Sequence, residues 1–347
     1  MDLFIPFVLI YTALIFLLDR FLASRGYNGL RSDHFDGKKF FSLGTRPAKK
    51  KNPRHGRRLF WKWILHRPKN TWVWRDNRHR PKPEERVFGD KLVVTFVNHS
   101  STLIQTEGLN ILTDPVWSNR VSPFWFLGPA RYRNPGIDFD ELPPIDIVII
   151  SHNHYDHMDV VTLKKIEARW SPKIFVPLGN AAYLARKGIS LVRDMDWWDK
   201  ESVGSGTSIV CAPAQHFSSR ALSDRDKTLW CGFIIETPNG NIYFAGDTGY
   251  GPFIKTIEDR YKEFRLAFLP IGAYKPEWFM HPVHISPDEA MQIHKELNVR
   301  TTIAIHFGTF RLANDTQDEP VLRIQELLRK ENTQFVTLEN GEVYQVS

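Results

Sequence analysis

The 347 residues are 42% hydrophobic and 24% charged, with 22 prolines spread along the chain. That composition argues against a disordered, fibrous or low-complexity protein and leaves room for one large domain with an extension, or for two ordinary ones. The net charge of +7 is uneven: residues 20–91 carry 21 Lys/Arg against 6 Asp/Glu, so the remainder is acidic. Cys211 and Cys231 sit in apolar runs without CxxC spacing, which gives no sign of a disulfide framework or a thiolate metal cage and suits two buried thiols in a reducing compartment.

In chain order, an apolar run starts at Leu3 and reaches Ala23, broken only by Asp19 and Arg20. At about 1.5 Å of rise per residue against about 30 Å of hydrocarbon, it is marginal for crossing a bilayer. A secretory signal would want a basic start, and only Asp2 precedes the run. Residues 1–23 are therefore read as a retained membrane anchor, with the cations on its C-terminal side placing the body of the chain in the cytoplasm. Residues 24–86 form a basic segment that includes KKKNPRHGRR, RRLFWKWILHRP and NTWVWR. Basic residues among tryptophans can meet nucleic acid, but directly after an apolar run an anionic membrane surface is the better match, at about 1 kcal/mol per Lys/Arg. The alternative is that the tryptophans pack this segment onto the domain that follows.

From residue 87 to 347 the texture is that of one domain of short β-rich runs: LVVTFV, TLIQTEG, NILTDP, DIVIIS, IFVP, SIVCAP, CGFIIET, NIYFAG, LAFLP, TIAIH and FVTL. Helical periodicity falls between them at Val160–Trp170, Asn180–Lys187, Phe253–Phe264, Pro287–Leu297 and Glu319–Lys330. Strand runs in both halves with helices interspersed predict an α/β domain of two sheets covered by helices.

The sharpest motif is Ser151-His152-Asn153-His154-Tyr155-Asp156-His157, directly after IDIVII. A buried strand ending in HxHxDH puts three imidazoles and a carboxylate on one tight loop, where they can converge on metal. A lone histidine is usually structural; this grouping is not lone. Downstream, His216 follows SIVCAPAQ, Asp247 follows NIYFAG, and His306 ends TTIAI. Each ends an apolar strand run in a side chain able to bind metal, and the shared context makes the three one set. Imidazole and carboxylate without thiolate suit zinc and also manganese or iron.

This order of motifs resembles the metallo-β-lactamase superfamily. The longer phrases FVPLG, MDWWDK, AGDTGY, LPIGAYKPEWFM, HISPDEA and AIHFGTFRLAN resemble, within it, the family of N-acyl-phosphatidylethanolamine-hydrolysing phospholipases D. The resemblance implies a four-layer αβ/βα sandwich, two zinc ions and a homodimer; the apolar run adds an N-terminal membrane-anchor extension ahead of that sandwich. It also implies hydrolysis of the lipid to phosphatidic acid and an N-acylethanolamine. By the same likeness His152, His154 and His216 hold one zinc, Asp156, His157 and His306 the other, and Asp247 bridges them. A hydroxide between two cations is then the nucleophile attacking phosphorus, so no Ser, Cys or His nucleophile is needed. His284 is expected to orient substrate or transfer a proton, the competing reading being a loop residue that caps a helix. Val283 stands where the animal enzymes carry a polar side chain. Tyr155 and Phe217 are expected to shape the acyl or glycerol pocket, or simply to pack. His99 is expected near the site without being a ligand, and Asp114 is expected to support a metal histidine.

Fold and metals alone do not fix substrate, so lactone, thioester or nucleic-acid hydrolysis is the second reading, and a membrane-bound scaffold with an inactive site the third. The apolar run weighs against a nuclease. The complete ligand set weighs against a scaffold.

Overall fold

The computed structural model describes residues 4–44, 58, 61–63, 65–69 and 71–347, with side chains from Thr12 onward. The strands are Leu92–Asn98 (β1), Ser101–Thr106 (β2), Leu109–Thr113 (β3), Ile147–Ile149 (β4), Lys173–Pro177 (β5), Val192–Met195 (β6) and Lys200–Gly204 (β7). There follow Thr207–Ala212 (β8), Gly232–Glu236 (β9), Ile242–Phe244 (β10), Phe264–Pro270 (β11), Val299–Ile305 (β12), Gln334–Val336 (β13) and Val343–Val346 (β14). They form two seven-stranded mixed sheets, ordered β14-β1-β2-β3-β4-β5-β6 and β13-β12-β11-β10-β9-β8-β7.

Side-chain alternation explains why the central strands are apolar throughout. In and just after β4, Ile147 and Ile149 face the other sheet, where they join Phe233, Phe244 and Phe268, while Val148 and Ile150 turn outward onto Leu163 and Ile166 of the helix Val160–Trp170. In β12, Ile303 and Ile305 enter the same central core, and Ala304 faces Met291, Ile293 and Ile324 of the helices Pro287–Glu296 and Glu319–Leu328. The result is helix, sheet, sheet, helix: the α/β metallo-β-lactamase-type sandwich the sequence predicts.

Helix starts are fixed beside the future site. Asp159 accepts from Val161 N and caps the helix after the HxHxDH loop. Ser286 and Glu289 form a capping box with Pro287 at the first helical position. The cap of that helix is thus complete without His284.

The sequence reading lacks β6, β7 and β14. All three lie at sheet edges and have mixed sequences, VRDM, KESVG and VYQV, and β7 alternates exposed with half-buried positions. Edge strands carry polar side chains because one flank meets water, so they lose the apolar signature. The expected helix from Phe253 stops at Arg260, since Phe264 opens β11.

Ahead of the sandwich, Phe4–Leu22 is a helix. Among the described residues no helix is long and apolar enough to cross a membrane; the side chains at the start of the apolar run lie outside the described residues. Phe35 and Phe40 are buried in the central core cluster, and the His34 ring stacks on Trp197 at 4.2 Å. In the basic segment, Trp72 Nε1 donates to Asp315 O at 3.2 Å, Trp63 Nε1 to Asn314 Oδ1 at 3.1 Å, and Arg75 clasps Asp318 at 2.5 and 2.6 Å. These described tryptophans pack on the loop that follows β12.

Candidate metal centre

The site lies where strands of both sheets end. His152, His154, Asp156 and His157 come from the loop after β4, His216 follows β8, Asp247 follows β10, and His306 follows β12. The two rims touch at Gly246, whose φ is +61° and where a Cβ would lie 2.4 Å from Ser151 Cβ. Only glycine fits there, because the left-handed backbone and the missing space both exclude a side chain.

Four overlapping groups place their ligand atoms within 4.8 Å of one another: His152 with His154 and His216; His99, Asp156, His157 and His306; His152, His157 and Asp247; and His216, Asp247 and His284. Asp247 Oδ2 stands 3.3 Å from His157 Nε2, 3.0 Å from His306 Nε2, and 3.8 Å from both His216 Nε2 and His284 Nδ1. Asp156 Oδ2 is 3.3 Å from His157 Nε2, 3.4 Å from His306 Nε2 and 3.1 Å from His99 Nε2. Asp247 therefore reaches both ligand sets.

The buried polar atoms test whether metal fits. His157 Nε2, His306 Nε2, His284 Nδ1 and Asp247 Oδ1 are buried with no hydrogen-bond partner. Orphaned atoms of that kind are costly, and here they converge, which is the arrangement a divalent cation would satisfy. The outer faces of the rings are held. Asp114 Oδ2 pairs with His157 Nδ1 at 2.6 Å and accepts from Ser151 Oγ at 2.6 Å, Ser151 Oγ meets His152 Nδ1 at 2.9 Å, and Val283 O meets His216 Nδ1 at 2.8 Å. Such contacts fix ring orientation and leave the other nitrogen facing inward.

Electrostatics split the cluster. Burial lowers His152 well below the usual histidine range, and His154, His216, His284 and His99 to about 3, so these rings are neutral near pH 7. Burial alone would lower His306, but the Asp247 and Asp156 carboxylates outweigh it and raise that ring to about 9; His157 is raised for the same reason. Burial alone would raise Asp156 and Asp247, and the facing imidazoles hold both well below the usual carboxylate range.

All seven residues expected as ligands are in the cluster. His284 borders it and also lines a cleft of about 990 Å³ shared with Tyr274, Lys275, His281 and Glu289. His99 stands closer than expected, within the Asp156 group, on a turn with φ of +50°. Tyr155 donates to Arg220 O at 2.9 Å, under the Arg220 guanidinium at 4.0 Å from the ring centre. Phe217 packs its edge on His154 at 4.4 Å. Sequence reasoning missed Ser151, the Val283 carbonyl and Arg220, whose Nη1 donates to Asn153 O and Met158 O at the two ends of the ligand loop. Ser151 alone had a signal, its place in the motif.

Comparison with known proteins agrees. The profile of the beta-lactamase superfamily domain matches residues 109–307. The chain is 39% identical over 272 residues to an N-acyl-phosphatidylethanolamine-hydrolyzing phospholipase D 1 of Caenorhabditis elegans, covering 74% of this chain and 76% of that one. It is 36% identical over 261 residues to the mitochondrial enzyme of that description in Saccharomyces cerevisiae, spanning 73% of this chain and 55% of the yeast protein. Among solved structures, an isothiocyanate hydrolase from Delia radicum gut bacteria superposes with a TM-score of 0.59 at 22% identity, over 74% of this chain and 99% of that one. The metallo-hydrolase Igni18 of Ignicoccus hospitalis does so with a TM-score of 0.56, also at 22% identity, over 74% and 99% of the two chains. With this fold, this cluster and these relatives, the chain belongs to the metallo-β-lactamase superfamily as a metal-dependent hydrolase, and its sequence resembles the N-acyl-phosphatidylethanolamine-hydrolysing phospholipases D.

Proposed function

We propose that this hydrolase is a phosphodiesterase of phospholipase D type, acting on N-acyl-phosphatidylethanolamine or a related phospholipid and releasing phosphatidic acid and an N-acylethanolamine. The observation that carries the metal part is Asp247, whose carboxylate stands between two sets of inward-facing imidazoles with one oxygen unpartnered. The substrate class rests on likeness to the nematode and yeast relatives.

His152, His154 and His216 would hold one zinc ion, Asp156, His157 and His306 a second, and Asp247 both. When bound, the two cations supply a water acidified toward neutral pH and positive charge for the phosphoryl oxygens. The residues of the chain do the rest. Asp247 and Asp156 balance the cationic charge, while Asp114, Ser151 and the Val283 carbonyl keep the imidazole nitrogens aimed inward. In hydrolysis a water oxygen bonds to phosphorus, the bond from phosphorus to the ethanolamine oxygen breaks, and that oxygen must gain a proton. His284 orients the phosphoryl group or carries that proton, a reading supported by its position between the cluster and the cleft.

Residues 1–23 hold the chain at a membrane, the exposed cations of residues 24–86 meet anionic head groups while Phe35, Phe40 and Trp72 of that segment pack on the domain, residues 87–347 catalyse on the cytoplasmic side, and the unit is a homodimer. Tyr155 and Phe217 lie beside the lipid chains. Hydrolysis of a phospholipid panel with product identification, together with metal analysis, tests it. About two zinc ions per chain and release of phosphatidic acid are expected. Cleavage of RNA without turnover of any phospholipid would replace this reading with a nuclease.

A further inference from the structure

A second exposed apolar element lies beside the N-terminal helix. In the loop Ser122–Gly128, Trp125 is 88% exposed, Phe126 61% and Leu127 59%. The loop is braced at its base: Val121 N donates to Pro129 O at 3.1 Å, Arg131 N to Asn119 O at 3.0 Å, and Arg120 Nη1 to Gly128 O at 2.6 Å. Under it, buried Arg131 donates to the carbonyls of Val116, Ser118 and Arg133. Three aromatic rings are therefore displayed together on a fixed stalk, with Trp125 5.5 Å and Phe124 5.8 Å from Phe126.

The helix Phe4–Leu22 has the same character. From Thr12 to Leu18 every side chain is exposed, including Leu14, Phe16 and Leu17. The end of the helix is held by Asp19, which accepts from Leu222 N and Ser223 N, so the exposed apolar side chains before it are presented to solvent from a fixed base. Phe21 and Leu22 from the helix and Ser122 and Pro123 from the loop line one depression, whose rim carries Arg120, Lys164 and Lys187 and whose wall includes Tyr155. The Lys187 ammonium sits 4.5 Å from the Phe21 ring centre. Apolar tips around cations match the layering of an anionic bilayer, with phosphate outside and acyl chains within.

We infer that the loop Ser122–Gly128 is a second membrane contact, inserting Trp125, Phe126 and Leu127 at the boundary of head groups and acyl chains of an anionic phospholipid bilayer. The helix docks beside it, and Arg120, Lys164 and Lys187 meet lipid phosphates. Because Tyr155 lies between His154 and Asp156 in the chain, the docked bilayer borders the ligand loop. The inference rests on the lipid-substrate reading for its purpose, and its test reads binding apart from turnover.

The full chain and its Trp125→Ser/Phe126→Ser variant would be sedimented with phosphatidylcholine vesicles, with and without phosphatidylglycerol. Metal content and hydrolysis of soluble bis(4-nitrophenyl) phosphate would be measured in parallel. The variant should partition into vesicles about ten-fold less or worse, since two large apolar side chains no longer leave water, with metal content and soluble turnover unchanged. Arg120→Gln/Lys164→Gln should lose the preference for phosphatidylglycerol, most visibly at low salt. Unchanged vesicle binding in the serine variant overturns the inference. So does a shift of that variant from dimer to monomer in lipid-free sedimentation velocity with vesicle binding intact, which would make the loop a contact between copies. If the loop governs binding while no phospholipid is hydrolysed, the docking surface stands and the proposed substrate falls.

Discussion

The first sheet delivers four clustered side chains from one loop after β4, whereas the second delivers His216, Asp247 and His306 from three strand ends far apart in sequence. The two contributions are held differently. In the first, ring orientation depends on a local net in which Asp114 receives Ser151 N, Ser151 Oγ and the His157 ring. In the second, position depends on strand register, such as Leu269 against Ala304 between β11 and β12, and His216 is steered by a backbone carbonyl. A single substitution outside the ligands can therefore loosen the first set, while the second yields only when the strands or the ligands change.

The largest expected effect is at the residue that joins the two sets. Asp247→Asn should lower kcat/KM by about 10²-fold or more and reduce bound metal, because the carboxylate that both ligand sets share is lost, a change at least as large as those at the outer partners of metal ligands. Turnover near the parent value would remove Asp247 from the site. His284→Ala should come next, lowering kcat about 10²-fold with metal retained. If metal leaves with the ring, His284 belongs among the ligands. Asp114→Asn tests the local net of the first sheet and should weaken metal affinity about 10-fold to 100-fold, read by competition with a chelator. An unchanged affinity would mean that His157 needs no outer partner.

The smallest effect concerns the edge of the first sheet, where His34 meets Asp196 at 2.7 Å and Asp33 at 2.5 Å. Burial alone would lower His34, but these carboxylates outweigh it and raise the ring above its ordinary value. The stabilisation is therefore full below about pH 6.5, the unfolded value, and fades as pH rises through the folded one. Thermal unfolding of the parent and His34→Gln should differ more at low pH than at high pH. A difference that grows with pH would contradict the pairing.

The difference between the two sheets also governs what a sequence reveals. HxHxDH was legible because its residues are neighbours, and the helix Val160–Trp170 because its apolar face repeats along one segment. His216, Asp247 and His306 were legible only through their shared place after apolar runs. The contact of His99 with Asp156 was not, because it depends on a left-handed turn between β1 and β2. The Val283 carbonyl has no side-chain signature at all. Strand order was illegible for the same reason: edge strands β6, β7 and β14 look like loops until a neighbour pairs with them.

β14 joins β1 with Leu92 opposite Val346, so the first sheet is complete only after the chain has traversed the whole second sheet. Closing so long a loop is slow compared with local pairing. Until it closes, β1 offers a bare row of N–H and C=O groups to any passing strand. A fragment lacking residues 343–346 would keep every side chain of the metal cluster and still be prone to edge-to-edge association.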